Sequence, residues 1–259
     1  HKPHHGYGRL REKWGARREI MKGLGILSIA PLLAMAEGVR GLPVIKNARF
    51  ALGTNGGTGR RLRALMLHGK GGEGARFRER MAPIVDSFTG IDFTFPTAPF
   101  CIDEEKSGFA WWTLPPGVRS FEATRYIGVE KSIESLQEIC RNEGPFDILW
   151  GHSQGAILLS SILASPSIEF PEPKVIILNG CAWPKPFESD LESFKKGHLP
   201  SLHVVGREDK VNPAEQGVRV ARSFGQRARV FEHAKGHIVP CDEAAISCYT
   251  GFLKTHLLI

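Results

Sequence analysis

Residues 151–155 read Gly-His-Ser-Gln-Gly, and they join the apolar run 146–150 to the apolar run 156–163. A glycine two positions before and two after a serine, between a strand-like and a helix-like run, encodes a sharp strand-to-helix turn with the serine at its apex. Such a turn forces the serine backbone into a strained conformation, and a side chain at either glycine would strike the neighbouring strand or helix. Ser153 then stands at a helix N-terminus, where the dipole and free backbone N–H groups favour developing negative charge. A chain that spends its central element this way is constrained to strands feeding helices, with chemistry at the strand ends.

A serine nucleophile needs a base, and in this strand–turn–helix arrangement the acid and the histidine follow the serine in the chain. Residues 201–206 read as a buried strand, followed by the polar turn 207–213. Asp209 in that turn is the expected acid, with Glu208 its competitor; Asp209 also has a plainer reading as a turn or capping carboxylate before Pro213. Residues 228–232 read as another strand, and His237 on the loop beyond it is the expected base, with His233 its competitor. His152 is expected to pack beside the turn, not to transfer protons.

Stabilising an acyl-transfer oxyanion takes two backbone donors. One is expected from Gln154, the other from Lys70 in the loop His68-Gly69-Lys70-Gly71-Gly72 after the strand 62–67. A phosphate cradle is the competing reading of that glycine-rich loop, but no Gly-Lys-Ser/Thr pattern follows. His68 reads as structural.

The remaining pattern predicts strands over 91–95 and 174–178, and helices over 75–87, 124–143, 213–224 and 242–256. Val129, Ile133, Leu136 and Cys140 make one apolar stripe on the second of these helices. Alternating strands and helices predict an α/β fold, a mostly parallel sheet covered by helices on both faces. Residues 95–117, rich in proline and aromatics, are expected to form a short lid or loop insertion, with Phe109, Trp111 and Trp112 as substrate-binding walls. A loop pinned over the core by its tryptophans uses the same residues. The lid reading implies a medium or long acyl group.

These blocks together resemble the FSH serine hydrolases, a family of α/β-hydrolases. The likeness spans about residues 61 to 256. It rests on Leu67-His68-Gly69, Trp111-Trp112, Pro145-Phe146-Asp147, Gly151 to Ala156, Pro200 to Gly206 with Asp209-Lys210-Val211, and Gly236-His237-Ile238-Val239-Pro240. The resemblance implies an α/β-hydrolase fold and an esterase-like enzyme with a triad on Ser153, Asp209 and His237. The chain departs from the family pattern at Lys70, where a large apolar residue is usual, at His152, where an aromatic is usual, and at Lys235, where glycine is usual.

The net charge of +7 reads as a nucleic-acid signal until it is located. Residues 1–60 hold eleven Lys/Arg against three Glu, leaving 23 Lys/Arg against 24 acids in residues 61–259. The expected organisation is therefore a basic leader over 1–60 and one hydrolase domain over 61–259, with no nucleic-acid partner. Arg17-Arg18-Glu19-Ile20-Met21-Lys22, followed by fourteen uncharged residues from Gly23 to Ala36 that end Ala34-Met35-Ala36, looks like a twin-arginine signal, and the basic segment before it resembles a transit peptide. The implied address is the thylakoid lumen of a chloroplast; the alternatives are a bacterial periplasm or an enzyme that keeps this segment in the cytoplasm. Residues 37–60 read as a flexible linker, and no stable membrane insertion is expected of the domain. Five cysteines lack metal-ligand or redox spacing, and no metal or cofactor motif is visible.

The combined expectation is a serine hydrolase that cleaves a small-molecule ester through an acyl-Ser153 intermediate. A thioesterase or acyltransferase would use the same residues. A ligand-binding module of the same fold with an idle triad is the reading from a different class.

Overall fold

The computed structural model describes residues 60–194 and 197–257. The twin-arginine segment, the apolar run after it and nearly all of the linker lie outside the described residues. Within them, eight strands and seven α-helices alternate in the order β1 (Leu62–Leu67), α1 (Gly74–Arg80), α2 (Ala82–Ser87), β2 (Ile91–Thr94), β3 (Phe100–Asp103), β4 (Gly108–Ala110), α3 (Val129–Glu143), β5 (Ile148–His152), α4 (Gln154–Ala164), β6 (Val175–Asn179), α5 (Glu188–Ser193), β7 (Ser201–Gly206), α6 (Ala214–Ser223), β8 (Ala228–His233) and α7 (Glu243–Leu257).

Six strands form one sheet in the order β2-β1-β5-β6-β7-β8, every neighbouring pair parallel. Because both faces are covered, its inner strands are apolar almost throughout, with successive side chains going to opposite cores. Leu65, Leu67, Leu149, Ile176 and Leu178 join the core under α3, α4 and α6. Ala64, Met66, Trp150, Val175 and Ile177 join the core under α1, α2 and α7. The chain winds outward from β1 to β2, then returns to the other side of β1 and winds outward from β5 to β8. That reversal leaves a crevice between the carboxyl ends of β1 and β5, which is where an open α/β sheet places its ligands.

Three element boundaries depart from the sequence expectation for identifiable reasons. The helix over 75–87 is two helices broken at Met81, because Pro83 has no N–H to give Glu79 and opens the second helix instead. The helix ending at Glu143 starts at Val129, after Gly128 at φ +80°. The strand over 146–150 is shifted to Ile148–His152, since Phe146 and Asp147 serve as its approach.

The segment 95–117 contains a two-stranded antiparallel hairpin, β3 and β4. Trp111 and Trp112, expected as walls of a pocket, are both 0% exposed and belong to the core. Trp112 stacks on Tyr126 at 4.2 Å between ring centroids, and the Trp111 indole N–H donates to the His68 carbonyl at 2.8 Å. These tryptophans pin the hairpin to the core, and neither lines the cleft beside Ser153. Among the described residues, no helix is long and apolar enough to cross a membrane.

Candidate active site

Ser153 sits between β5 and α4 at φ 53°, ψ −118°, a conformation that non-glycine residues avoid. The flanking glycines account for it. A Cβ at Gly151 would lie 2.6 Å from the backbone of Ala156, and one at Gly155 would lie 2.6 Å from the carbonyl oxygen of Leu67 on the neighbouring strand. The Ser153 N–H donates to the Asn179 carbonyl at 2.9 Å, so β6 holds the apex of the turn from the other side.

The polar turn after β7 and the loop after β8 converge on this serine. The Ser153 hydroxyl lies 2.7 Å from His237 Nε2, and His237 Nδ1 lies 2.6 Å from Asp209 Oδ2. An ionised carboxylate only accepts, so Nδ1 carries the proton and Nε2 is left as an acceptor for the serine hydroxyl. The other oxygen of Asp209 accepts the N–H groups of Val211 and Asn212, both at 2.8 Å. Burial opposes ionisation of Asp209, but His237 and these two amides outweigh it and hold the carboxyl below its usual range. Glu208 is exposed and outside this chain of bonds.

His233 is buried on β8 with Nδ1 unpartnered, and it makes no bond to Ser153. His152 is not in the chain either; its ring lies 5.0 Å from that of His237 and stacks on Phe77 at 6.3 Å. Burial, then the charges of His237 and Arg80, push its pKa down to about 3, so it stays neutral beside a ring that becomes cationic.

The loop after β1 closes the crevice. A Cβ on Gly69 would lie 3.0 Å from that of Ser153, which is why this loop needs glycine where it passes the serine. The backbone of Phe109 on β4 pairs with Gly71 and Gly72 at 2.7 and 2.9 Å, so the hairpin braces the loop and its ring packs on the core. His68 accepts the Ala98 N–H through Nε2 at 3.0 Å and donates Nδ1–H to the Gly69 carbonyl at 2.7 Å. Gln154, 3% exposed, bridges the Trp111 N–H and the Trp112 carbonyl with its side-chain amide, both at 2.9 Å. Its backbone N–H begins α4, where the first amides have no acceptor in the helix. Lys70, Ser153 and His237 line one cleft of about 140 Å³.

Sequence reasoning did not anticipate Phe77 and Arg80 on that cleft, or Asn212, whose side chain donates to the Gly180 carbonyl at 2.7 Å and fixes the turn carrying Asp209. Positions on an amphipathic helix such as α1 carry no local mark of the cavity they will face.

Fold and site together define an α/β-hydrolase. Among solved structures, the crystal structure of esterase PE8 shares the fold with a TM-score of 0.61 and 24% identity, covering 79% of this chain and 96% of that one. Zea mays acyl-protein thioesterase 2 follows with a TM-score of 0.57 and 17% identity over 76% and 94%. The description "Serine hydrolase (FSH1)" matches residues 58–248, and the chain belongs to this family. Esterase OVCA2 of Danio rerio is 29% identical over 228 residues, which cover 74% of this chain and 96% of the relative. Its Homo sapiens counterpart is 35% identical over 163 residues, 59% of this chain and 70% of the relative. The chain is therefore a hydrolase of the serine type.

Proposed function

We propose that the chain hydrolyses carboxylic esters through an acyl-Ser153 intermediate, with His237 as general base and Asp209 as the carboxylate that orients it. The observation that carries this reading is the unbroken chain from Ser153 through His237 to Asp209, at 2.7 and 2.6 Å. The serine oxygen attacks the ester carbonyl carbon as its proton passes to Nε2; the carbon–oxygen bond to the alcohol then breaks, and the alkoxide leaves with that proton. Water, deprotonated by the same nitrogen, attacks the acyl-serine carbonyl, and the serine oxygen recovers the proton as the acid departs. The Gln154 and Lys70 amides are the donors assigned to the oxyanion.

Both indoles are buried in the core and offer no wall to a long acyl chain. A cleft of about 140 Å³ fits a compact acyl group better. A thioester would be cleaved by the same steps with a thiolate leaving.

The test is turnover of p-nitrophenyl esters from acetate to palmitate, with a matched thioester alongside, by the chain and by its Ser153→Ala variant. Ser153→Ala is expected to lower kcat by at least about a thousandfold with an unchanged circular dichroism spectrum, and short esters are expected to be preferred. Retained turnover in the variant would remove Ser153 from the role.

A further inference from the structure

The cleft beside Ser153 carries two cations and no carboxylate on its walls. Lys70 comes from the loop after β1 and Arg80 ends α1; both line the same space as Ser153 and His237. The neighbouring cations are engaged otherwise: Arg76 pairs with Glu73 at 3.1 Å, and Arg78 lies over the Phe95 ring at 5.7 Å. Lys70 and Arg80 have no hydrogen-bond or ion-pair partner among the described residues. The two other basic side chains lining the cleft beside the reactive histidine, His68 and His152, are held neutral, by burial first and by Arg80 in addition. The cleft thus focuses about two positive charges on the space where an ester must sit.

We propose that this cleft selects esters carrying a second, anionic group, a carboxylate or a phosphate a few bonds from the scissile carbonyl, held by Lys70 and Arg80. The inference rests on the hydrolytic role of Ser153. A guanidinium offers a planar pair of donors to such a group and the ammonium a mobile point charge; both residues are exposed at the rim of the cleft, so their pull on the anion is screened by salt. If the two cations served only the oxyanion of the transition state, acidic and neutral esters would gain alike, and no preference would follow.

The experiment compares mono-p-nitrophenyl adipate with its methyl ester, p-nitrophenyl methyl adipate, on the full chain, on Ser153→Ala, and on the double variant Lys70→Met/Arg80→Gln. The quantity read is the ratio of kcat/KM for the acid to that for the neutral ester within each protein, so that a general loss of activity cancels. The ratio is expected to reach at least about ten at low ionic strength, and to fall several-fold in the double variant and in about 0.5 M salt. A ratio near one, or a high ratio that the double variant keeps, overturns the proposal. Hydrolysis of neither ester above the Ser153→Ala level overturns the hydrolase reading and this inference with it. Hydrolysis of the neutral ester without preference overturns this inference alone. Inhibition of neutral-ester turnover by monomethyl adipate or by methyl phosphate then tells which anion the cations favour, and inhibition by neither counts against the proposal.

Discussion

Asp209 spends both carboxylate oxygens on donors: one takes His237 Nδ1–H and the other takes two backbone amides. Asp209→Asn keeps an oxygen for the amides and turns an NH2 toward His237, which favours the tautomer with the proton on Nε2. That tautomer cannot accept from Ser153. The expected loss in kcat is about a thousandfold to ten-thousandfold, with the fold retained, whereas Glu208→Gln, exposed beside it, should stay within about twofold. Measured kcat for the two variants decides the acid: a larger loss in Glu208→Gln would reverse the assignment. Ser153, Asp209 and His237 were legible in the sequence because each follows a β-branched or apolar run at a strand end, and the order along the chain sorts them from Glu208 and His233. Arg80 was not, because only the docking of α1 on the sheet brings it to the cleft.

The elements show the same division. β1 was readable to the residue, since Leu62–Leu67 is apolar at every position but Arg63 and lies between polar Arg61 and His68. The tryptophans of the segment 95–117 were read toward a pocket because aperiodic aromatics in a loop give no face. The partners that claim them, the His68 carbonyl and the Gln154 amide, come from distant elements. Packing between elements also makes the spacing of the turn testable. Gly155 is buried in the first turn of α4, and any Cβ there must push against Leu67 and the carbonyl oxygen of His68, at 2.6 and 2.8 Å. Gly155→Ala is therefore expected to cost about 1–3 kcal/mol and to lower Tm by several degrees, because strand backbone must move. Activity should fall further than stability, as β1 carries the loop that faces Ser153. Thermal unfolding of this variant within a degree of the parent would mean that β1 and α4 are not in register as described.

For the whole molecule, acid stability follows from histidines that the two cores enclose. His203 on β7 is 0% exposed against Phe224; Nε2 meets the Ser201 hydroxyl at 3.0 Å, and Nδ1 has no partner. Burial pushes its pKa down to about 3 from an ordinary 6.5. Above pH 6.5 the ring is neutral whether the chain is folded or unfolded, and its titration contributes nothing. Below that, the unfolded chain takes up a proton the folded one refuses, so stability falls by about 1.4 kcal/mol per pH unit until the folded ring itself titrates. His152 acts in the same direction, less strongly where solvent reaches it. Asp209, Asp242 and Glu188, all held below their usual range, add the same sign only nearer pH 4, as their unfolded forms begin to protonate. Between pH 6 and 5 the slope therefore belongs mainly to histidine. His203→Phe, which keeps a ring against Phe224, should flatten the pH dependence of the urea unfolding free energy in that window by about 1 kcal/mol per unit, whatever it does to stability at pH 7.5. Because the readout is a slope, a loosened core cannot mimic it, and an unchanged slope would mean that His203 reaches water in the native state.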